Sequence, residues 1–339
     1  MLSNMLKRKI LSAMNQLKVL RLFETRMKRR LRVLMYHRFS MEKHPHRISA
    51  VEFERQLKYL KRYARVITID EAIDGLTGKK RLPDFSTVIT IDDGYRDSYE
   101  IAYPILRKLG LPATMYVVSS FMEGKAWLWT DKARYVTEHT NADRVETSVG
   151  SRRFSIPLSD SGSRLDAASM LNEALKQMSN DDKEIALEKL ADDLGVQLPE
   201  TPPTEYSGFN AAEAAEMGTN GITIGSHTIS HPLMNRITAS EQESEAKGSR
   251  RRLAELTGLE VSHFCYPNGS FDDGARLAVR NAGYRSAVSS DFGYCRREDD
   301  LDLLPRIPAE DDMLAFLQNY TGLEGVKRST RRLLRGGSA

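Results

Sequence analysis

The spacing of apolar residues along this chain switches repeatedly between strand-like and helix-like. RVLMY (32–36) reads as a strand, and VEFERQLKYLKRY (51–63) repeats its apolar positions at helical intervals. A short strand is expected at 65–67, a clear one in TVITI (87–91), a helix over about 98–109 and a strand in ATMYVV (113–118). Alternation of this kind predicts a parallel sheet or barrel with helices outside it. The rhythm breaks after Ser120. Residues 121–204 carry both tryptophans, a polar stretch rich in Ser and Arg, and a long helical pattern (166–194) before the breaker PETPPTE. This reads as a mainly helical insertion in an α/β body. The body resumes with GITIGSH (221–227), a helix over 238–256, HFCYP (263–267), a helix over about 272–282 and a strand at 285–288.

The strand TVITI runs into two adjacent aspartates, Asp92 and Asp93, followed by Gly94 and Tyr95. In mid-strand, neighbouring side chains point to opposite faces. At the strand's end a turn at Gly94 lets both carboxylates converge on one pocket at the carboxyl edge of the sheet, where α/β proteins place their chemistry. A helix N-cap followed by a surface turn would use the same residues. A second stretch, GSHTISHP, sets His227 and His231 four apart after another predicted strand, on a loop because Pro232 disfavours helix. That spacing suits one metal ion. Together the two stretches make a candidate Asp/His/His site with an open fourth position, the pattern of catalytic zinc. Zinc there would lower the pKa of a water to about 7 and polarise a carbonyl oxygen. A second carboxylate off the metal would take the water's proton, so the aspartates are adjacent because one holds the ion and its neighbour acts as base.

TIDDGY, HTISHP and FCYPNGSF, in this order, resemble the metal-dependent polysaccharide deacetylases of the NodB-homology group, carbohydrate esterase family 4. The resemblance covers residues 31–308 apart from the insertion. It implies a distorted (β/α)7-type barrel, a divalent metal, expected as Zn²⁺, and hydrolysis of acetyl groups from N-acetylated sugars. By the same resemblance Asp92 matches the catalytic base, and Asp93, His227 and His231 match the metal ligands. MYHRF and the interrupted barrel are similar to the subgroup associated with bacterial exopolysaccharide and surface-glycan clusters, which implies an N-acetylated polysaccharide or a lipid-linked glycan precursor as substrate. An O-acetyl esterase on a glycan and a non-catalytic glycan-binding barrel are the alternative functions.

The chain departs from the family pattern in its third motif. Cys265 stands where many members carry an Arg that orients the base, and Asn268 stands where an aromatic donates its backbone N–H to the oxyanion. A main-chain donor needs no particular side chain, so the oxyanion role passes to Asn268. Arg306, in LPRIP, is the candidate orienting cation. No late-motif His is present as general acid; His37 is the candidate, with a structural histidine as its alternative, and His263 is read as structural. Tyr95 either lines the sugar site or packs the turn. Trp127 and Trp129 either stack on sugar or anchor the insertion.

Composition sets the remaining bounds. The chain has 339 residues, 40% of them hydrophobic and 28% charged, as in a soluble globular protein. Its net charge of +4 is unevenly spread: residues before Val33 carry roughly +9 and those from Val326 onward roughly +5, leaving a body near −10. The division expected is a basic amphipathic segment at 1–30, a barrel at 31–310 with its insertion at about 121–204, and a basic tail at 311–339. Leu2, Leu6, Ile10, Met14 and Leu17 recur at helical spacing in the first segment. Peripheral contact with an anionic membrane, or a helix packed on the domain, would use that pattern. The acidic body offers no groove for nucleic acid. No apolar run of signal-peptide or membrane-span length is seen, and the two cysteines, Cys265 and Cys295, make neither a metal spacing nor a disulfide framework. A cytoplasmic protein, peripheral on the inner membrane face, is the expectation.

Overall fold

A computed structural model describes residues 8–9, 11–14, 19–125 and 127–328. Its strands in chain order are β1 (Arg32–Tyr36), β2 (Phe39–Ser40), β3 (Ile48–Ser49), β4 (Arg65–Val66), β5 (Ser86–Ile91), β6 (Ala113–Val117), β7 (Arg144–Val149), β8 (Arg152–Pro157), β9 (Ile222–Ser226), β10 (His263–Cys265), β11 (Ser286–Phe292) and β12 (Leu304–Pro308). Seven parallel strands close into a barrel in the order β1-β12-β11-β10-β9-β6-β5, with β5 returning to β1 in register from Arg32↔Thr87 to Tyr36↔Ile91. The short β4 pairs with the first residues of β5. This is the barrel the alternating pattern and the family resemblance led us to expect.

Period-two geometry sorts the strand residues into two cores. Val33, Val88, Val288 and Leu304 belong to an apolar cluster with Ile69, Ile73 and Leu76 of the helix Ile69–Leu76, which closes one end of the barrel. Leu34, Ile89, Met115 and Ile224 belong to a second cluster with Phe53, Leu57 and Leu60 of the helix Ala50–Tyr63 and with Leu253. Strands covered on both faces are buried along their length, as all six residues of β5 are. The helix Ile69–Leu76 has a capping box in which Thr68 Oγ1 accepts from the Glu71 N–H while Glu71 accepts from the Thr68 N–H.

The insertion has a core of its own, in which Trp129, Val136, Val145, Phe154, Leu171, Leu187 and Leu190 meet. Its helical pattern at 166–194 is broken into Ser161–Leu175 and Asn180–Asp193, because Ser179 starts a new helix by accepting from Asp182 N–H at 3.2 Å. The polar Ser/Arg stretch is the antiparallel hairpin β7–β8.

Part of the expected basic tail is integral to the barrel's outer layer. The helix Met313–Tyr320 buries Phe316, Leu317 and Tyr320, and the Tyr320 carbonyl accepts from the buried Arg32 Nε at 3.0 Å. At the other end, Leu2, Leu6, Ile10 and Leu17 lie outside the described residues. Leu11 and Met14 pack against the main cluster, and Leu20 and Glu24 of the helix Val19–Arg26 are buried. Among the described residues no helix is long and apolar enough to cross a membrane.

Candidate metal centre and catalytic site

The loops after β1, β5, β9 and β10 bring the site residues together at the carboxyl ends of the barrel strands. Asp92 and Asp93 follow β5; its backbone continues the pairing as Asp92 N–H donates to Tyr36 O at 3.0 Å. Asp93 then adopts φ 74° and Gly94 φ 89°, and a Cβ on Gly94 would stand 3.0 Å from Val117 Cγ1. Two successive left-handed residues turn the chain at once, which frees both carboxylates from strand alternation. Thr228 (φ 72°), His231 (φ 61°) and Asn268 (φ 58°) are strained in the same sense. Four of the five non-glycine residues with positive φ among the described residues therefore lie on the loops of this one site, where strain is held by surrounding bonds. Glu245, on the helix Ala239–Thr257, provides part of that hold: its carboxylate accepts from Ile229 N–H at 2.6 Å and Ser230 N–H at 3.1 Å.

His227 and His231 present Nε2 to the same Asp93 oxygen, at 3.3 and 3.4 Å. All three side chains are buried. His227 Nδ1 donates to the Cys265 carbonyl at 2.7 Å, which orients the ring with Nε2 toward Asp93. Ligand atoms about 2.0–2.1 Å from a tetrahedral ion are separated from each other by about 3.3 Å, the separation found here. The trio thus fits a divalent cation by donor type and by spacing, and the three ligand atoms form a compact cluster.

Asp92 faces different company. Arg306 from β12 holds it end-on through both nitrogens, Nη1 to Oδ1 at 2.8 Å and Nη2 to Oδ2 at 2.7 Å. The guanidinium is completely buried and is itself fixed by Ser289 O (2.7 Å), Thr90 Oγ1 (3.0 Å) and Cys265 Sγ (3.2 Å). Asp92, His227 and Cys265 also lie close together, but Asp92 is held by Arg306, and the Cys265 thiol donates to Asp92 Oδ2 at 3.5 Å while accepting from the guanidinium. Burial pushes the Asp92 carboxyl up; the guanidinium of Arg306, then His37, outweigh it and hold the group below its ordinary value. For Asp93, burial is likewise overcome, by hydrogen bonds from His227 and His231. His37, half-exposed at the end of β1, sets Nε2 3.6 Å from Asp92 Oδ2.

Asp92, Asp93, His227, His231, His37 and Arg306 are therefore brought together. Asn268 lies on the loop after β10, exposed, its carbonyl accepting from Ser290 Oγ at 3.0 Å. His263 is buried in β10 against Ser286 Oγ and Asp70. Burial removes two of the expected sugar contacts, Tyr95 and Trp129. The Tyr95 ring is buried between Arg38 and Phe121, and its hydroxyl donates to Asp131 of the insertion at 2.7 Å. Trp129 is buried in the insertion's core with Lys183 over its ring. Trp127 packs edge-on against Tyr135 and tilted against Tyr206. Tyr95 and Trp129 are thus buried in packing, whereas Trp127 is partly exposed. Thr90, Ser289 and Glu245 are supporting residues that the sequence reading missed; only Thr90 carried a signal, sharing the inward face of β5 with Asp92 two residues on.

The mouth of this closed parallel barrel thus combines a carboxylate–imidazole trio that could hold a divalent cation with an arginine-held aspartate beside it. The family model for polysaccharide deacetylase matches residues 79–187 and 198–287, and the chain belongs to that family. It is thus a glycan deacetylase, a hydrolase acting on amide bonds. It is 25% identical over 285 residues to the putative polysaccharide deacetylase YxkH of Bacillus subtilis, a match spanning 84% of this chain and 73% of that one. A shorter stretch of 73 residues, 21% of this chain and 25% of the relative, is 37% identical to the poly-beta-1,6-N-acetyl-D-glucosamine N-deacetylase of Staphylococcus aureus. The fold is similar to that of the Streptococcus pyogenes deacetylase PplD, with a TM-score of 0.57 at 17% identity over 86% of this chain and 96% of that one.

Proposed function

We propose that the chain is a divalent-metal-dependent N-deacetylase acting on N-acetylhexosamine units of a bacterial polysaccharide or lipid-linked glycan precursor, with Asp93, His227 and His231 holding Zn²⁺. The observation that carries this reading is the division of labour between adjacent carboxylates, Asp93 facing two imidazoles and Asp92 facing Arg306. A metal at the trio would supply Lewis acidity toward the acetamide carbonyl and toward the attacking water. Asp92, kept ionised by Arg306, accepts the water's proton as its oxygen attacks the carbonyl carbon. The pairing with Arg306 also fixes the carboxylate's rotation, so its lone pairs stay aimed at the mouth. Backbone N–H groups near Asn268 and Tyr95 receive the developing oxyanion. His37, beside Asp92 and open to solvent, protonates the departing amine; the C–N bond breaks, giving acetate and a free amino sugar.

Support for an N-acetylglucosamine polymer comes from the S. aureus relative named for one, over the 73-residue stretch. The basic 1–30 segment supports peripheral contact with an anionic membrane. The test is acetate release from β-1,6-linked N-acetylglucosamine oligomers and, in parallel, from an O-acetylated glycan. Release from the amide substrate supports the proposal. Release from the ester alone makes the protein an O-acetyl esterase, and release from neither, with zinc bound, makes it a glycan-binding barrel.

A further inference from the structure

The end of the barrel opposite the catalytic mouth carries charge that the hydrolysis does not use. Lys28 and Arg29 lead into β1, the 77–85 loop leads into β5, and Arg297 lies in the connection to β12. These segments line a cavity of about 690 Å³ whose charged residues are Lys28, Arg29, Lys79, Lys80, Arg81 and Arg297 against the single carboxylate of Asp84. Lys28 is paired with Asp84 at 3.3 Å and Lys80 with Asp74 at 3.5 Å. Arg29, Lys79, Arg81 and Arg297 are exposed and make no ion pair among the described residues. Gly78, at φ 77°, lets the Arg297 guanidinium cross the loop, since a Cβ there would stand 2.8 Å from Nη2. Leu22, 67% exposed, lies one turn before Arg26 on the helix that leads into this face.

We propose that this basic face docks the protein on an anionic lipid surface, with the catalytic mouth pointing away from the bilayer. The body as a whole is acidic, near −10 by residue count. An anionic surface therefore attracts the barrel's amino end and repels the rest, and that asymmetry orients the molecule. No aromatic side chain lines the cavity to stack on a base, and an exposed leucine beside cations suits a headgroup–acyl boundary better than a nucleic acid. The face shares no residue with the catalytic site, so this proposal stands or falls independently of the deacetylase mechanism.

The experiment uses the full chain and sedimentation with vesicles of phosphatidylcholine containing about 30% phosphatidylglycerol, alongside phosphatidylcholine alone. The variant Arg29→Gln/Lys79→Gln/Arg81→Gln/Arg297→Gln keeps every charge of residues 1–28. At about fivefold per cation removed, its partitioning falls by more than about a hundredfold, with an unchanged thermal midpoint. Both native cysteines are buried, so single labels can be placed at Thr77→Cys and Ser290→Cys to read orientation. Brominated lipid quenches a fluorophore at 77 and leaves one at 290 bright. Wild-type-like binding by the fourfold variant, equal binding to neutral vesicles, retention on heparin without vesicle binding, or quenching at 290 rather than 77 would each overturn the proposal.

Discussion

Replacing Arg306 by methionine removes the guanidinium that bonds both Asp92 oxygens while keeping a side chain of similar length in the barrel. The guanidinium donates to both Asp92 oxygens, to Thr90 and to the Ser289 carbonyl, and neither member of the pair is reached by solvent. Removing one partner of such a pair leaves an uncompensated buried charge, at a cost of about 3–5 kcal/mol. That is a large fraction of a typical total stability of about 5–15 kcal/mol. Urea unfolding of the chelated protein, followed by far-UV circular dichroism, measures the loss without a contribution from bound metal. Asp92→Asn strands the guanidinium in turn, and the double variant loses less than the two single losses together, by about 2 kcal/mol. The kinetic arm has a defined sign. Arg306 keeps the Asp92 carboxyl below its ordinary value, so its removal lets burial raise the pKa and moves the acid limb of kcat/KM to higher pH. Arg306→Lys falls between, because a point charge cannot bond both oxygens at once. A cost under about 1 kcal/mol, additive single variants and an unmoved acid limb would refute the reasoning.

Other predictions concern groups around this pair. His37→Ala lowers kcat about 10²-fold while zinc uptake, followed by titration with a chromogenic chelator, stays at the wild-type level; a parallel fall in zinc uptake would make His37 a ligand rather than an acid. Trp129→Ala opens the insertion's core and lowers stability by about 3–5 kcal/mol, yet leaves KM for short oligomers unchanged if its role is packing alone. Hydrogen bonding from Arg252 holds Glu123 down at about 2, against an ordinary 4.5. Arg252 is solvent-exposed and Glu123 partly so, which screens the pair, and Glu123→Gln costs less than about 1 kcal/mol at neutral pH. A depressed carboxylate stabilises the fold above its unfolded value and ceases to do so as pH falls from 4.5 to about 2. Thermal midpoints of the two proteins should therefore converge over that interval, and a constant gap would contradict the assignment.

The barrel was legible because doubly covered strands and amphipathic helices leave different periods in the sequence. β12 was not: LPRIP carries two prolines and an arginine, and only closure of the barrel makes it a strand with Arg306 pointing inward. The helix Ile69–Leu76 was also passed over, although its capping box is written in the sequence as Thr68 and Glu71. The hairpin β7–β8 looked like a polar loop because its arginines and serines dominate the composition, while Val145, Phe154 and Ile156 alternate quietly beneath them. At the site, DDGY and HTISHP were readable because few other folds need two carboxylates and two imidazoles at strand ends. Pairing Arg306 with Asp92, 214 residues apart, was reachable only through the cysteine standing in the place of the family's arginine. The structure adds the physical reason: the small Cys265 side chain leaves room for a guanidinium arriving from another strand. Tyr95 and Trp129 misled because an aromatic near a glycan site can pack or stack equally well by sequence, and burial decides.

The central claim is that one cation and Asp92 act together on an acetamide. The most direct measurement is acetate release from β-1,6-linked N-acetylglucosamine oligomers by chelated protein titrated with zinc, for the wild type and for Asp92→Asn. The account predicts activity that rises from zero and saturates at one zinc per chain in the wild type, and none in Asp92→Asn even though it takes up the same zinc. Undiminished release by the chelated protein, or substantial release by Asp92→Asn, would contradict it.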